Sequence, residues 1–107
     1  MDVAERIYLL VRNFPKQEEY RVTAQIIRAA VSIPANIAEG HARATRKDYA
    51  HFISIARGSA AELETLLLLA ARAKFATEDQ ITPLLGDVER VSRMLNRLHA
   101  RLKEAPQ

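Results

Sequence analysis

Apolar residues recur along this chain at intervals of three and four positions, the spacing of one face of an α-helix. The first such row spans residues 3–14, and Pro15 ends it because the residue before a proline avoids the helical region. A second row spans residues 22–37, with Pro34 inside it as the expected cause of a kink. Gly40 follows as a predicted left-handed carboxy-terminal cap. The pattern therefore predicts two helices in the first 40 residues.

Two longer helices are predicted in the remainder of the chain. The third runs from Arg46 to Lys74, and Thr45 is placed to cap its amino terminus. The small residues 58–61 midway along it predict a close approach of another helix. The fourth helix carries an apolar row over residues 81–102, and Thr77 with Gln80 forms a capping-box pattern before it.

Pro83 and Gly86 disturb the start of the fourth helix, so we expect its ordered part to begin only after Thr82. No period-two run of β-branched residues indicates a strand. Four helices joined by short loops predict an all-α protein, an antiparallel up-down-up-down four-helix bundle. Residues 1–107 are expected to form one domain.

Composition narrows the class of protein further. The 107 residues include 16 Lys and Arg against 13 Asp and Glu, and there is no Cys. The chain therefore has no disulfide, no thiolate zinc site and no cysteine nucleophile. Its longest stretch without a charged residue, 29–38, is far shorter than the ~20 residues that cross a membrane. We expect a cytoplasmic protein with no membrane contact.

Candidate catalytic chemistry is sparse. A di-iron bundle needs two Glu-x-x-His motifs, and the nearest pattern, Asp48 to His51, occurs once. Glycines are isolated, which excludes a glycine-rich phosphate loop. Ser32, Ser54 and Ser59 have no histidine at a helical spacing that would let it act as a base. We therefore predict no catalytic residue, no metal site and no cofactor.

Basic residues, by contrast, are clustered. Four arginines of the fourth helix share an outward arc of about 80°, where guanidinium groups can meet successive phosphates. A second cluster lies between the second and third helices. The alternative is a solvated face stabilised by pairs such as Glu89 with Arg93. The candidate nucleic-acid-binding residues are Arg90, Arg93, Arg97 and Arg101, with Arg43, Arg46 and Lys47.

Polar residues also interrupt the apolar rows of the second and third helices. If these helices pair about the turn at residues 40–45, Arg28 lies level with Glu62, and we predict an ion pair between them. The expected role of the set is to fix helix register or a subunit contact. A catalytic site on Glu39, Arg57 or Glu62 is the alternative. The predicted network consists of Arg28, Asn36, Glu39, Arg57 and Glu62.

The middle of the chain resembles a known family. The block RAAVSIPANIAEG (residues 28–40), then ARGS (56–59) with Glu62, and MLNRL (94–98) are similar to four-helix-bundle proteins of the S23 type. These are encoded by intervening sequences within 23S rRNA genes and by free-standing bacterial genes. Here residues 1–14 alone precede Pro15, a shorter lead than the family usually has.

The resemblance implies a ring of subunits, a homopentamer, without enzymatic activity. Accessory proteins of diversity-generating retroelements are similar in fold, and they bind nucleic acid and a reverse transcriptase through a basic surface. The sequence thus leaves three hypotheses open. They are an oligomer that binds RNA or DNA phosphates, a scaffold for a protein partner, and an enzyme with a site between subunits.

Overall fold

A computed structural model describes residues 2–104 of the protein, without the side chains of residues 18–20. Four α-helices follow one another: α1 (Val3–Val11), α2 (Ala24–His41), α3 (Arg46–Arg72) and α4 (Glu78–Lys103). A 3₁₀ turn (Lys16–Glu18) and a π-helical turn (Glu19–Thr23) connect α1 to α2. The described residues contain no strand, so the all-α prediction is confirmed.

The helices α2, α3 and α4 run in alternating directions, as the short loops predict. Ser32 of α2 lies opposite Ser59 of α3, with 2.7 Å between their hydroxyl oxygens, and Gly40 lies beside Phe52. Between α3 and α4, Arg46 contacts Arg101 whereas Arg57 contacts Asn96. In both pairs the partner number falls as the number along α3 rises, which defines antiparallel packing. The bundle is about 52 Å long and 22 Å wide.

Every helix contributes fully buried side chains to one core, which the three-four spacing predicts. α1 buries its Ile7, and α1 is further held to α4 by Arg6, which forms an ion pair with Asp87. Phe14 follows α1 in a turn and packs on Phe75, with ring centroids 5.7 Å apart. The largest fully buried side chains are Ile7, Ile26, Ile53, Leu63, Leu67 and Val88.

The role predicted for Gly40 is wrong. It lies within α2, and the cap residue Ala42 has right-handed geometry, so no left-handed glycine is used. The position instead needs a glycine for space. A Cβ there would come within 2.9 Å of Phe52 Cβ and of Tyr49 Cδ1. The close approach expected at residues 58–61 does not involve Gly58, because a Cβ at that position would meet nothing within 4 Å.

The predicted start of the fourth helix is also wrong. α4 begins at Glu78, and Pro83 lies inside it. The Thr77 hydroxyl accepts from the Gln80 amide, and the Gln80 side chain accepts from the Thr77 amide, which confirms the capping box. This cap satisfies terminal amides that would otherwise be unpaired. The stabilisation of the helix start offsets the loss of the backbone hydrogen bond that Pro83 cannot donate.

Candidate nucleic-acid interface

The four arginines predicted on α4 are exposed, but two of them already pair with carboxylates. Arg90 forms an ion pair with Asp87, and Arg93 donates to Glu89 Oε1 at 2.9 Å. The alternative interpretation, a solvated face with paired charges, therefore describes Arg90 and Arg93. Arg97 and Arg101 are exposed and form no ion pair with a described carboxylate.

The second basic cluster is divided between two sides of the bundle. Arg43 forms an ion pair with Glu39, and its guanidinium lies 4.8 Å from the Phe52 ring centroid. Arg46 turns the other way, toward α4, and donates to the Arg101 carbonyl oxygen at 2.6 Å. The start of α3 and the end of α4 therefore bring part of each basic cluster to the same end of the molecule.

The predicted Arg28–Glu62 ion pair is wrong. The contact between Ser32 and Ser59 places Arg28 one turn away, level with residues 62–63, so the register is close to that predicted. Both side chains are nevertheless exposed, and they form no ion pair with each other. Charged side chains on the outer faces of two packed helices stay in water. An exposed ion pair would restrain both side chains and contribute little to the free energy of folding.

The other members of the predicted network separate into distinct contacts. The Asn36 amide donates to the Ser32 hydroxyl at 2.9 Å, so two serines and Asn36 form the polar contact between α2 and α3. Glu39 pairs with Arg43 at the α2–α3 turn, far along the helix from Glu62. Glu39 and Arg57 therefore have separate partners, Arg43 and Asn96, and do not form one polar network.

Arg57 instead turns toward α4. Its Nε donates to Asn96 Oδ1 at 2.8 Å, and its Nη1 lies 3.1 Å from His99 Nδ1. Arg57 is half-buried, and it forms no ion pair with a described carboxylate. Two neutral acceptors therefore orient this guanidinium while its positive charge stays uncompensated.

Two adjacent pockets, which share Ser54, lie along the line where α3 packs against α4; we call them the two lobes of the α3–α4 groove. The lobes measure about 590 and 450 Å³, and Ser54 lines both. The first, which we call the cationic lobe, is lined by Arg46, Lys47, His51, His99, Lys103 and Glu104, among others. The second, the polar lobe, is lined by Ser54, Arg57, Gly58, Glu64, Ser92 and Asn96, together with Ala61.

The electrostatics of His99 reflect this surrounding positive charge. Burial lowers its pKa below the ordinary value of 6.5, and the nearby charges of Arg57 and Lys103 lower this pKa further. A guanidinium has donors only, so His99 Nδ1 accepts from Arg57 and the imidazole proton is on Nε2. The groove therefore holds a neutral histidine among cations.

Sequence reasoning found Arg46 and Lys47 but missed His51, His99 and Lys103. The last two are four residues apart on α4, and they share one face of that helix with Asn96. The antiparallel pairing of the third and fourth helices places this face opposite the start of the third. The helical spacing of these residues was therefore visible in the sequence. It indicates a groove only when the third and fourth helices are considered as an antiparallel pair.

In the part of the chain that the structure describes, no group of three or more His, Asp or Glu side chains lies close enough to hold a metal ion. None of the helices described is long and apolar enough to cross a membrane.

These features define a four-helix bundle with a groove whose cationic side chains form no ion pair with a described carboxylate. The chain belongs to the family of 23S rRNA-intervening sequence proteins, which it matches over residues 1–97. It is similar to a protein of unknown function from the S23 ribosomal protein family of Bacteroides thetaiotaomicron VPI-5482. The two are 30% identical with a TM-score of 0.81, over 95% of this chain and 93% of that one. A comparison with curated proteins finds no match.

Proposed function

We propose that this protein is a non-enzymatic, oligomeric bundle that binds phosphates of structured RNA or DNA at the end where α3 begins and α4 ends. One observation carries this proposal. Arg46, Lys47, Arg57 and Lys103 form no ion pair with a described carboxylate, whereas Arg43, Arg90 and Arg93 each have one. Phosphate is the anion that a groove with an excess of unpaired cations suits best.

Uncompensated cations matter because phosphate binding is driven largely by release of condensed counterions. An arginine that already pairs with a carboxylate must exchange that partner for the phosphate. Its net contribution to the free energy of binding is therefore smaller. Arg97 and Arg101 line neither lobe of the groove, but both are exposed on α4 and form no ion pair with a described carboxylate. The predicted arginine row therefore contributes through its carboxy-terminal half.

Self-association would repeat this surface. The outer face of α2 has an unusual composition, because Val31, Pro34, Ala35 and Ala38 are exposed and no charged residue occurs over residues 29–38. An apolar face of this kind favours contact with another subunit. We propose a homo-oligomer, five subunits by resemblance, acting in the cytoplasm, in which repeated weak phosphate contacts add to useful affinity.

The test is a fluorescence-anisotropy titration of a labelled structured RNA at about 50 and 200 mM salt. Neutralising Arg46 and Lys47 to Gln should lower affinity and reduce the log-log salt slope by roughly 1–2. The matched control neutralises Arg72 and Lys74, which lie at the opposite end of α3, roughly 40 Å away. Absence of binding at the lower salt, or equal losses in both double variants, would overturn the proposal.

A scaffold for a protein partner is the second candidate, and the same charge-free face of α2 favours it. This candidate predicts that the protein retains no RNA at about 150 mM salt. A pull-down with it under the same conditions should recover one other protein in stoichiometric amount. A Val31→Glu variant should abolish that recovery, because it places a charge in the centre of the face. Glu62→Gln provides a control on an exposed position outside it.

A further inference from the structure

Charge is unevenly distributed along the α3–α4 groove. The cationic lobe contains Arg46, Lys47 and Lys103 against the single carboxylate of Glu104. The polar lobe is lined by one cation, Arg57, and one carboxylate, Glu64, so its net charge is zero although the two side chains form no ion pair. A ligand that fills both lobes is therefore anionic at one end and neutral at the other.

The wall that α3 contributes to the polar lobe is open at Gly58. At Gly58 even an added Cβ would meet no atom within 4 Å. Ser54 and Ala61 lie one turn before and one turn after it on the same face of α3, and both are small. Three small residues in a row leave a surface on which a planar ring can lie.

Hydrogen-bonding groups surround this open wall. Asn96 Oδ1 is occupied by Arg57 Nε, which leaves the Asn96 amide group as a donor on α4. The Glu64 carboxylate supplies an acceptor from α3, and Ser54 and Ser92 can act in either sense. A donor and acceptors around a flat surface match the edge and face of a nucleobase.

We propose that the α3–α4 groove holds one nucleotide unit, with its phosphate in the cationic lobe and its base against Gly58 in the polar lobe. The lobe volumes of about 590 and 450 Å³ lie in the usual range of ligand clefts, about 300–1,000 Å³. This inference rests on the proposed phosphate binding and adds a base contact to it. The nucleotide is either free or part of a nucleic-acid chain, and the test distinguishes the two.

The three glycines of the chain, Gly40, Gly58 and Gly86, report on the groove. In an amide NMR spectrum of the isotope-labelled protein, cytidine 5′-monophosphate should shift Gly58 and leave Gly40 and Gly86 unchanged. Inorganic phosphate should shift residues of the cationic lobe alone. The nucleotide should bind roughly 2–10-fold more tightly than phosphate, the gain from one or two hydrogen bonds.

Substitutions at Gly58 close the polar lobe without altering charge. Gly58→Leu should bring the affinity for cytidine 5′-monophosphate down to that for phosphate, whereas Gly58→Ala should retain most of the difference. Ala100→Leu introduces the same side chain at an exposed position that lines neither lobe, and serves as the control. Equal affinities for the two probes in the wild type, or an undiminished difference in Gly58→Leu, would overturn the inference.

Titration with the labelled RNA distinguishes a free nucleotide from one in a nucleic-acid chain. It also tests the proposed function separately from the base contact. If the nucleotide belongs to a chain, Gly58→Leu weakens RNA binding by a similar factor at both salt concentrations. If it is free, only binding of cytidine 5′-monophosphate changes. If RNA binding depends on salt but Gly58→Leu changes the binding of neither RNA nor cytidine 5′-monophosphate, this inference is overturned and the proposed function stands. Absence of RNA binding would overturn that function.

Discussion

Nη1 of Arg57 on α3 lies 3.1 Å from Nδ1 of His99 on α4, and this contact requires a neutral imidazole. The guanidinium cannot accept a hydrogen bond, so protonation of His99 at Nδ1 would set two donors against each other. Burial, Arg57 and Lys103 lower the pKa of His99 for the same reason: each disfavours the charged form. The contact joins two helices only while His99 is uncharged.

A pH dependence of stability follows from this contact. The folded-state pKa of His99 is lower than its unfolded value of 6.5, so the unfolded chain binds the proton more readily. Stability from this source is therefore present above about pH 6.5 and is lost as the pH falls toward the folded-state pKa. Denaturant unfolding at about pH 7.5 and 5.5 should show a smaller loss in His99→Gln than in the wild type. Equal losses would contradict the assignment.

Asp87 should be the most important carboxylate for stability. It is 9% exposed, and it pairs with Arg6 of α1 and with Arg90 of α4. Asp87→Ala removes both contacts and should cost about 1–3 kcal/mol of unfolding free energy. Glu89→Ala breaks one exposed pair on the same helix and should cost under about 1 kcal/mol. Chemical denaturation of both variants measures the difference, and equal costs would exclude a tethering role for Asp87.

Alanine should have opposite effects at two helical glycines. At Gly40 the new Cβ would lie 2.9 Å from Phe52 Cβ, so the helices must separate, at a cost of about 1–3 kcal/mol. At Gly58 nothing lies within 4 Å, and the gain in helix propensity should stabilise the protein by roughly 0.5–1 kcal/mol. Thermal melting of the two variants provides the measurement. Stabilisation by Gly40→Ala would show that the α2–α3 turn does not need this close approach.

Loss of the capping box should loosen the start of α4. Thr77→Ala removes the acceptor of the Gln80 amide and should cost about 1 kcal/mol. Thr82→Ala, at an exposed position inside the same helix, should change stability by less than about 0.5 kcal/mol. Urea unfolding would compare the two, and a loss no larger in Thr77→Ala than in Thr82→Ala would refute a role for the cap.

Most of the fold could be predicted from the spacing of apolar residues. That spacing reflects burial, which is the largest favourable term in folding, so local irregularities such as Pro83 did not override it. The role of Gly40 could not be predicted in the same way. A glycine near a helix end is compatible with a cap or with close packing, and only the position of Phe52 distinguishes these.

The candidate site was harder to predict than the fold. Arginine rows can be found on a single helix, but the presence of a neutralising carboxylate depends on side-chain geometry, as Arg93 and Glu89 show. Arg57 was expected in a network between α2 and α3, yet it contacts Asn96 and His99 of α4. The spacing of apolar residues does not determine which neighbouring helix a flanking polar side chain contacts.

The shortness of α1 has a consequence for the order of folding. Its nine residues are too few for a stable isolated helix, and its ion pair with α4 joins positions 81 residues apart. Contacts close in sequence form first because they close shorter loops, so the hairpins of α2, α3 and α4 should assemble before α1 docks. The amides of α1 should therefore exchange their hydrogens through undocking of that one helix, faster than those at the centre of α3.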